Sequence, residues 1–195
     1  MERHGTMRVY IVRHGKAEDT PSAGACGRAG VSVHACDPDF HRELTMRGTA
    51  QARFLGAKLK GADKNLRLIL ASDYKRADQT AKIIQREVGC LLQTEKTLAI
   101  GHDASEVLAT LQRHGDEKSI MLVGHNPQLG ELLSVLACGL PPQEMILKTG
   151  ELVGLEIRLD QPVGSAKMVQ RLRLEDHESD DTFAAAPVVE RARTK

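Results

Sequence analysis

The sequence holds no tryptophan, and its aromatic residues (Tyr10, Tyr74, Phe40, Phe54 and Phe183) make up 3% of 195 positions. Base-stacking platforms and carbohydrate clefts both need flat aromatic faces in number, so neither fits, and the core has to be aliphatic. An excess of one charge is lacking too: 27 Lys and Arg stand against 26 Asp and Glu, a net charge of +1. A field of that size draws in neither nucleic acid nor an anionic membrane, and whatever charge selects a ligand must be local. The four cysteines, Cys26, Cys36, Cys90 and Cys138, form no C-x-x-C pair and no ladder of the kind that staples small secreted domains. Reduced thiols and a cytoplasmic setting are expected. No stretch approaches the roughly 20 continuous apolar residues that span a bilayer, and residues 1–6 are polar rather than the apolar segment of a secretory signal.

What is present is a regular alternation of strands and helices. Residues 7–12 are a short β-branched and aromatic run that stops at Arg13-His14-Gly15. Residues 66–71 form a second such run, followed by Ser72-Asp73 as a capping pair and a helix to residue 85 with Ala77, Ala81 and Ile84 on its inner face. Residues 119–123 form a third, running into Gly124-His125-Asn126-Pro127 and a Leu-rich helix. Between them, Thr45 reads as the N-cap of a helix that closes at Gly61, a short strand falls within 91–98, and a helix spans 104–113. Residues 151–159 and 167–174 alternate enough to be antiparallel or edge strands. The expectation is an α/β fold, a three-layer sandwich with a mainly parallel central sheet. Residues 1–6 read as a flexible leader, 7–174 as one domain with a long loop over 16–43, and 175–195 as a disordered tail that begins with five acids in seven residues.

Three strands thus end in polar residues that a buried sheet does not require. Ligands of open parallel α/β sheets bind beyond the carboxyl ends of the strands, so Arg13, His14, Arg76 and His125 should converge there beside helix N-termini. Two guanidinium groups and two imidazoles without a run of carboxylates suit a dianion, and phosphate is the obvious one, because the planar Arg fork reaches two oxygens at once. His14, on the tightest strand-to-turn transition, is the better nucleophile, and Gly15 lets a ligand approach the backbone. Ser72 reads equally as a phosphate donor or a cap. A neutral His14 attacking phosphorus in line, with Arg13, Arg76 and His125 on the equatorial oxygens, is the mechanism this suggests. A second Arg-His-Gly at residues 3–5 has no strand before it and carries no role.

Arg13-His14-Gly15 after a strand, then Leu44-Thr45-Met46-Arg47-Gly48, then residues 71–81 around Ser72 and Arg76, and finally Val123-Gly124-His125-Asn126-Pro127 resemble, in order, the motifs of the histidine phosphatase superfamily. The branch most resembled is the SixA-like phosphohistidine phosphatases. That resemblance covers residues 7–159 and implies a phosphoglycerate-mutase-like fold and a hydrolase that needs no metal and no cofactor. It makes His14 the phosphate-accepting nucleophile, Arg13 and Arg76 phosphate ligands, and His125 the second pocket histidine. The substrate it implies is a phosphorylated protein carrying phosphohistidine. A small phosphorylated substrate, handled by a phosphomonoesterase or mutase, and a catalytically inactive phosphate-binding module stay open. Larger members of the superfamily use a carboxylate as general acid after the second motif, where Glu95, Asp103 and Glu106 lie without a motif of their own. Cys26, His34, Cys36 and His41 match no zinc spacing and read as loop composition.

Overall fold

The computed structural model describes residues 5–19, 37–137 and 145–177. Its elements run β1 (Thr6–Arg13), α1 (Met46–Leu59), β2 (Leu66–Ala71), α2 (Lys75–Val88), β3 (Leu91–Thr94), α3 (Ala104–Arg113), β4 (Ser119–Gly124), α4 (Gln128–Leu136), β5 (Leu152–Arg158) and β6 (Lys167–Leu172). Short 3-10 turns at Lys96–Leu98 and Leu174–His177 complete the set. The six strands form one sheet in the order β3-β2-β4-β1-β5-β6. The first four are mutually parallel; β5 runs antiparallel to β1, and β6 antiparallel to β5.

Side-chain alternation along the strands sorts the core into two layers. Met7, Val9 and Ile11 of β1, Leu68 and Leu70 of β2, and Ile120 and Leu122 of β4 face α3 and α4, where Val107, Leu111, Leu129 and Leu133 meet them. Tyr10, Val12, Ile69, Met121 and Val123 face the other way, onto Phe54 and Leu55 of α1 and Ala77, Ala81 and Ile84 of α2. A central parallel strand is covered on both faces, so β4 is buried at all six positions. The edge strand β3 is mostly exposed and correspondingly less apolar in Gln93 and Thr94. Aliphatic side chains and two aromatics, Tyr10 and Phe54, supply the largest fully buried groups.

Several expectations move by a few residues. The 91–98 stretch splits into β3 and a 3-10 turn, α2 runs on to Val88, and Gly89 ends it in the left-handed region at φ 77°. The folded chain extends past residue 174: Glu175 lies in the last 3-10 turn and accepts from Gln51 Nε2 at 2.6 Å and from Arg47 at 3.1 Å. The acidic stretch therefore starts inside the packed unit, tied down by α1. Within the expected loop of 16–43, Ala17 pairs with Leu44, and residues 38–41 form a turn. The rest of that loop, most of the leader and the tail from residue 178 lie outside the described residues, as do Cys26, His34 and Cys36. No described helix is long and apolar enough to cross a membrane.

Candidate active site

The register of the sheet sets the site. Arg13 is level with Gly124, and Ala71 with Val123, so the carboxyl ends of β1, β4 and β2 lie side by side. The chain leaves all three at the same height, held by His14 N–H to the Gly124 carbonyl at 3.1 Å and Ser72 N–H to the Val123 carbonyl at 3.0 Å. His14, Ser72 and His125 are the residues that follow. Arg76, the second residue of α2, closes the group. All four of the convergent residues expected from sequence, Arg13, His14, Arg76 and His125, line one cavity of about 610 Å³.

His14 is 8% exposed. Its Nδ1 lies 2.7 Å from the Gly15 carbonyl, which can only accept, so Nδ1 carries the hydrogen. Nε2 is then a bare lone pair, and it accepts from Arg76 Nε at 3.2 Å. Burial, reinforced by Arg76 and Arg13, pushes its pKa down to about 4. His125 lies with its ring centroid 5.0 Å from that of His14. Ser72 Oγ accepts the Tyr74 N–H at 3.2 Å and is hydrogen-bonded to His125 Nε2 at 2.9 Å. Burial, with His14 and Arg76 adding to it, pushes the His125 pKa down to about 2. Both imidazoles are neutral at physiological pH.

Arg13 donates from Nη1 to the Leu147 carbonyl at 2.9 Å. Its Nε and the Nδ1 of His125 are buried without a hydrogen-bond partner. Arg13 Nε is an unsatisfied donor on the wall of the cavity, the kind of group an anion would satisfy. Arg76 is 3% exposed, stacks at 5.0 Å over the Tyr74 ring and has every nitrogen engaged, on His14 and on Asp39. Lys16 and Arg42 also line the cavity, so four cationic side chains face two carboxylates, Asp19 and Asp39. Net positive charge is thus concentrated locally in a nearly neutral chain.

Two expected ligands are placed otherwise. Gly15 donates its N–H to Thr80 Oγ1 at 3.1 Å, and a Cβ there would come within 2.5 Å of the Gly48 carbonyl oxygen. The close approach that requires glycine is between two stretches of backbone, Gly15 against the start of α1, rather than between backbone and ligand. Ser72 is 1% exposed and outside the cavity; it neither caps α2, whose N-cap is Tyr74, nor faces a ligand, but orients His125. The candidate acids are likewise committed. Glu95 caps the 3-10 turn after β3, and Asp103 and Glu106 form the capping box of α3. Asp103 borders a separate hollow of about 220 Å³ that shares His125.

Asp39 and Arg42 escaped the sequence reading. They belong to a segment without hydrophobic period, and the signal available was an acid and a base three residues apart directly before Leu44-Thr45. Gln51, buried at 2%, is another: it accepts from Lys16 N–H at 2.8 Å and donates to the Thr149 carbonyl at 3.0 Å, pinning two segments that line the cavity. Among the described residues there is no group of three or more His, Cys, Asp or Glu that could hold a metal ion.

Residues 9–99 match the family model of the histidine phosphatase superfamily (branch 1). The phosphohistidine phosphatase SixA of Escherichia coli K12 is 30% identical over 144 residues, which cover 70% of this chain and 78% of that protein. An uncharacterised protein of Picosynechococcus is 31% identical over 152 residues, covering 76% of this chain and 84% of its own. In three dimensions the chain shares the fold of the protein histidine phosphatase SixA solved with tungstate, with a TM-score of 0.69 at 23% identity over 88% of this chain and 99% of the other.

Proposed function

The chain belongs to the histidine phosphatase superfamily, in its SixA-like branch, and from that membership we propose that it hydrolyses phosphohistidine in a protein substrate through a phosphoenzyme formed on His14. The observation that carries the reading is the state of His14: neutral, with Nδ1–H fixed on the Gly15 carbonyl and the Nε2 lone pair turned toward Arg76 in a cationic cavity.

In the first step Nε2 attacks phosphorus. The bond from phosphorus to the substrate imidazole breaks, and its electron pair stays on that imidazole nitrogen. Arg13 and Arg76 take the equatorial oxygens, together with His125, whose buried Nδ1 has no partner in the free protein. In the second step water attacks phosphorus from the side the leaving group vacated, gives up a proton to solvent, and the electron pair of the N–P bond returns to Nε2 as inorganic phosphate leaves. Ser72 holds the His125 ring in place from behind. No general acid is needed when the leaving imidazole is already protonated on its other nitrogen, and the three candidate acids lie outside the cavity, tied up as caps. A small phosphomonoester leaves as an alkoxide and does need one.

The test is a rate comparison of a phosphohistidine-bearing protein against a panel of sugar and nucleoside phosphates, with and without chelator. The expected result is a kcat/KM for the phosphohistidine protein at least about a hundredfold above that of any monoester, unchanged by chelation; loss of one donor, in Arg13→Ala, lowers kcat by about 10²-fold to 10³-fold. A monoester that outpaces the phosphoprotein overturns the substrate class.

A further inference from the structure

Arg76 is a buried guanidinium, its side chain 4% exposed, and a buried cation without an anion is costly. In the free protein that anion is Asp39. Arg76 Nη2 donates to Asp39 Oδ2 at 2.8 Å and Nη1 to the Asp39 carbonyl at 2.6 Å, so one residue occupies both arms of the fork. The second carboxylate oxygen accepts from Arg42 Nη1 at 2.7 Å. Asp39 therefore bridges two of the cationic groups that line the cavity, in the way two oxygens of a phosphoryl group would. Both arginines hold its carboxyl ionised, below the usual range, against the opposing effect of burial.

The segment that carries Asp39 is anchored by other means. Asp39 N–H donates to Asp37 Oδ1 at 2.9 Å, Lys75 N–H to the Phe40 carbonyl at 3.0 Å, and the Phe40 ring packs 5.0 Å from Tyr74. The Asp39 side chain itself is 28% exposed, so its carboxylate can turn into water while the turn at 38–41 stays in place. A phosphoryl dianion and this carboxylate compete for one guanidinium, since like charges at that range repel.

We propose that Asp39 is an affinity-setting residue of the phosphate site: it stands in for the phosphoryl group in the free protein, is displaced by substrate, and returns to expel inorganic phosphate. The proposal rests on the phosphatase reading above, and its test requires no turnover. When a competent state is populated at a fraction f, the apparent dissociation constant rises by 1/f, so a carboxylate seated about nine-tenths of the time weakens phosphate binding about tenfold. In Asp39→Asn the amide oxygen still accepts from Arg76, but the competing charge is gone. Asp39→Ala removes both. Glu43→Gln removes a charge of the same sign that pairs with Lys75 outside the cavity, and controls for the general field.

Calorimetric titration of the full-length chain with inorganic phosphate decides it. The expected result is a dissociation constant about tenfold lower in Asp39→Asn and Asp39→Ala and within twofold of the parent in Glu43→Gln, with KM falling alongside it more than kcat changes. Unchanged or weaker phosphate binding in both Asp39 variants overturns the proposal and makes Asp39 a strut that positions the arginines. An equal gain in Glu43→Gln also overturns it. Absence of phosphate binding in the parent and in every variant overturns the phosphatase site itself, a failure distinct from the other two.

Discussion

His14 and His125 sit in a pocket where four cationic side chains outnumber two carboxylates, and their burial keeps both rings neutral, with pKa values near 4 and near 2 against an ordinary 6.5. For His14 that is a condition of the proposed reaction, because only the neutral ring offers a lone pair to phosphorus. It also has a consequence for stability. Between the ordinary value and the folded value the unfolded chain binds a proton that the folded chain does not, so folding stability is full above pH 6.5 and falls as the pH is lowered through that window. Each ring contributes a slope of about 1.4 kcal/mol per pH unit. Urea unfolding should therefore show a loss of about 2 kcal/mol between pH 6.5 and 5.5, and about half of that in His125→Gln. Stability that stays flat across this interval would contradict the neutral, buried pair. The residue types at these positions were legible because each follows a strand that ends abruptly in polar residues. Their protonation states were not, since those depend on Gly15 and Ser72 as hydrogen-bond partners and on burial.

At the scale of elements, the starts of helices explain residues that could pass for chemistry. Asp103 accepts from Ser105 N–H at 2.8 Å and Glu106 N–H at 3.1 Å, and Glu106 returns a bond to Asp103 N–H at 3.0 Å. Reciprocal caps of this kind stabilise a helix by about 1 kcal/mol. Asp103→Ala should thus lower stability in chemical denaturation and leave kcat on a phosphohistidine protein within twofold; a drop in kcat of tenfold or more would make Asp103 the missing acid. The helix beginning at Thr45 follows the same logic with a tighter constraint. Thr45 caps it through Gly48 N–H at 3.1 Å, and Gly48 lies so close to Lys16 that a Cβ would overlap the Lys16 carbonyl. Thr45 as a cap could be read from sequence, because capping is local. The pairing of Gly15 with Gly48 could not, because it joins segments more than thirty residues apart, and each glycine alone looks like a turn.

For the whole molecule, the alternation of strands and helices foretold the layers, and the sheet order then delivers three strand ends to one place. That convergence explains how a chain with a net charge of +1 concentrates four cations around one cavity. Through residue 174 it carries 24 Lys and Arg against 20 Asp and Glu, with much of the balancing acid placed after that point. What stayed hidden was the return of residues 37–42 over the site, where Asp39 and Arg42 meet Arg76. A loop without apolar period gives no face to orient, so only the folded chain reveals which of its charges point inward.

The central claim is that His14 carries the phosphoryl group between substrate and water. Rapid-quench mixing of the full-length chain with a protein labelled as ³²P-phosphohistidine, followed by peptide mapping under alkaline conditions, tests it most directly. The account predicts an acid-labile, alkali-stable label on the peptide containing His14, formed and lost at rates compatible with turnover, and absent in His14→Ala along with all but a trace of the activity. Phosphate release at the parent's rate by His14→Ala, or a transient label on any residue other than His14, would contradict it.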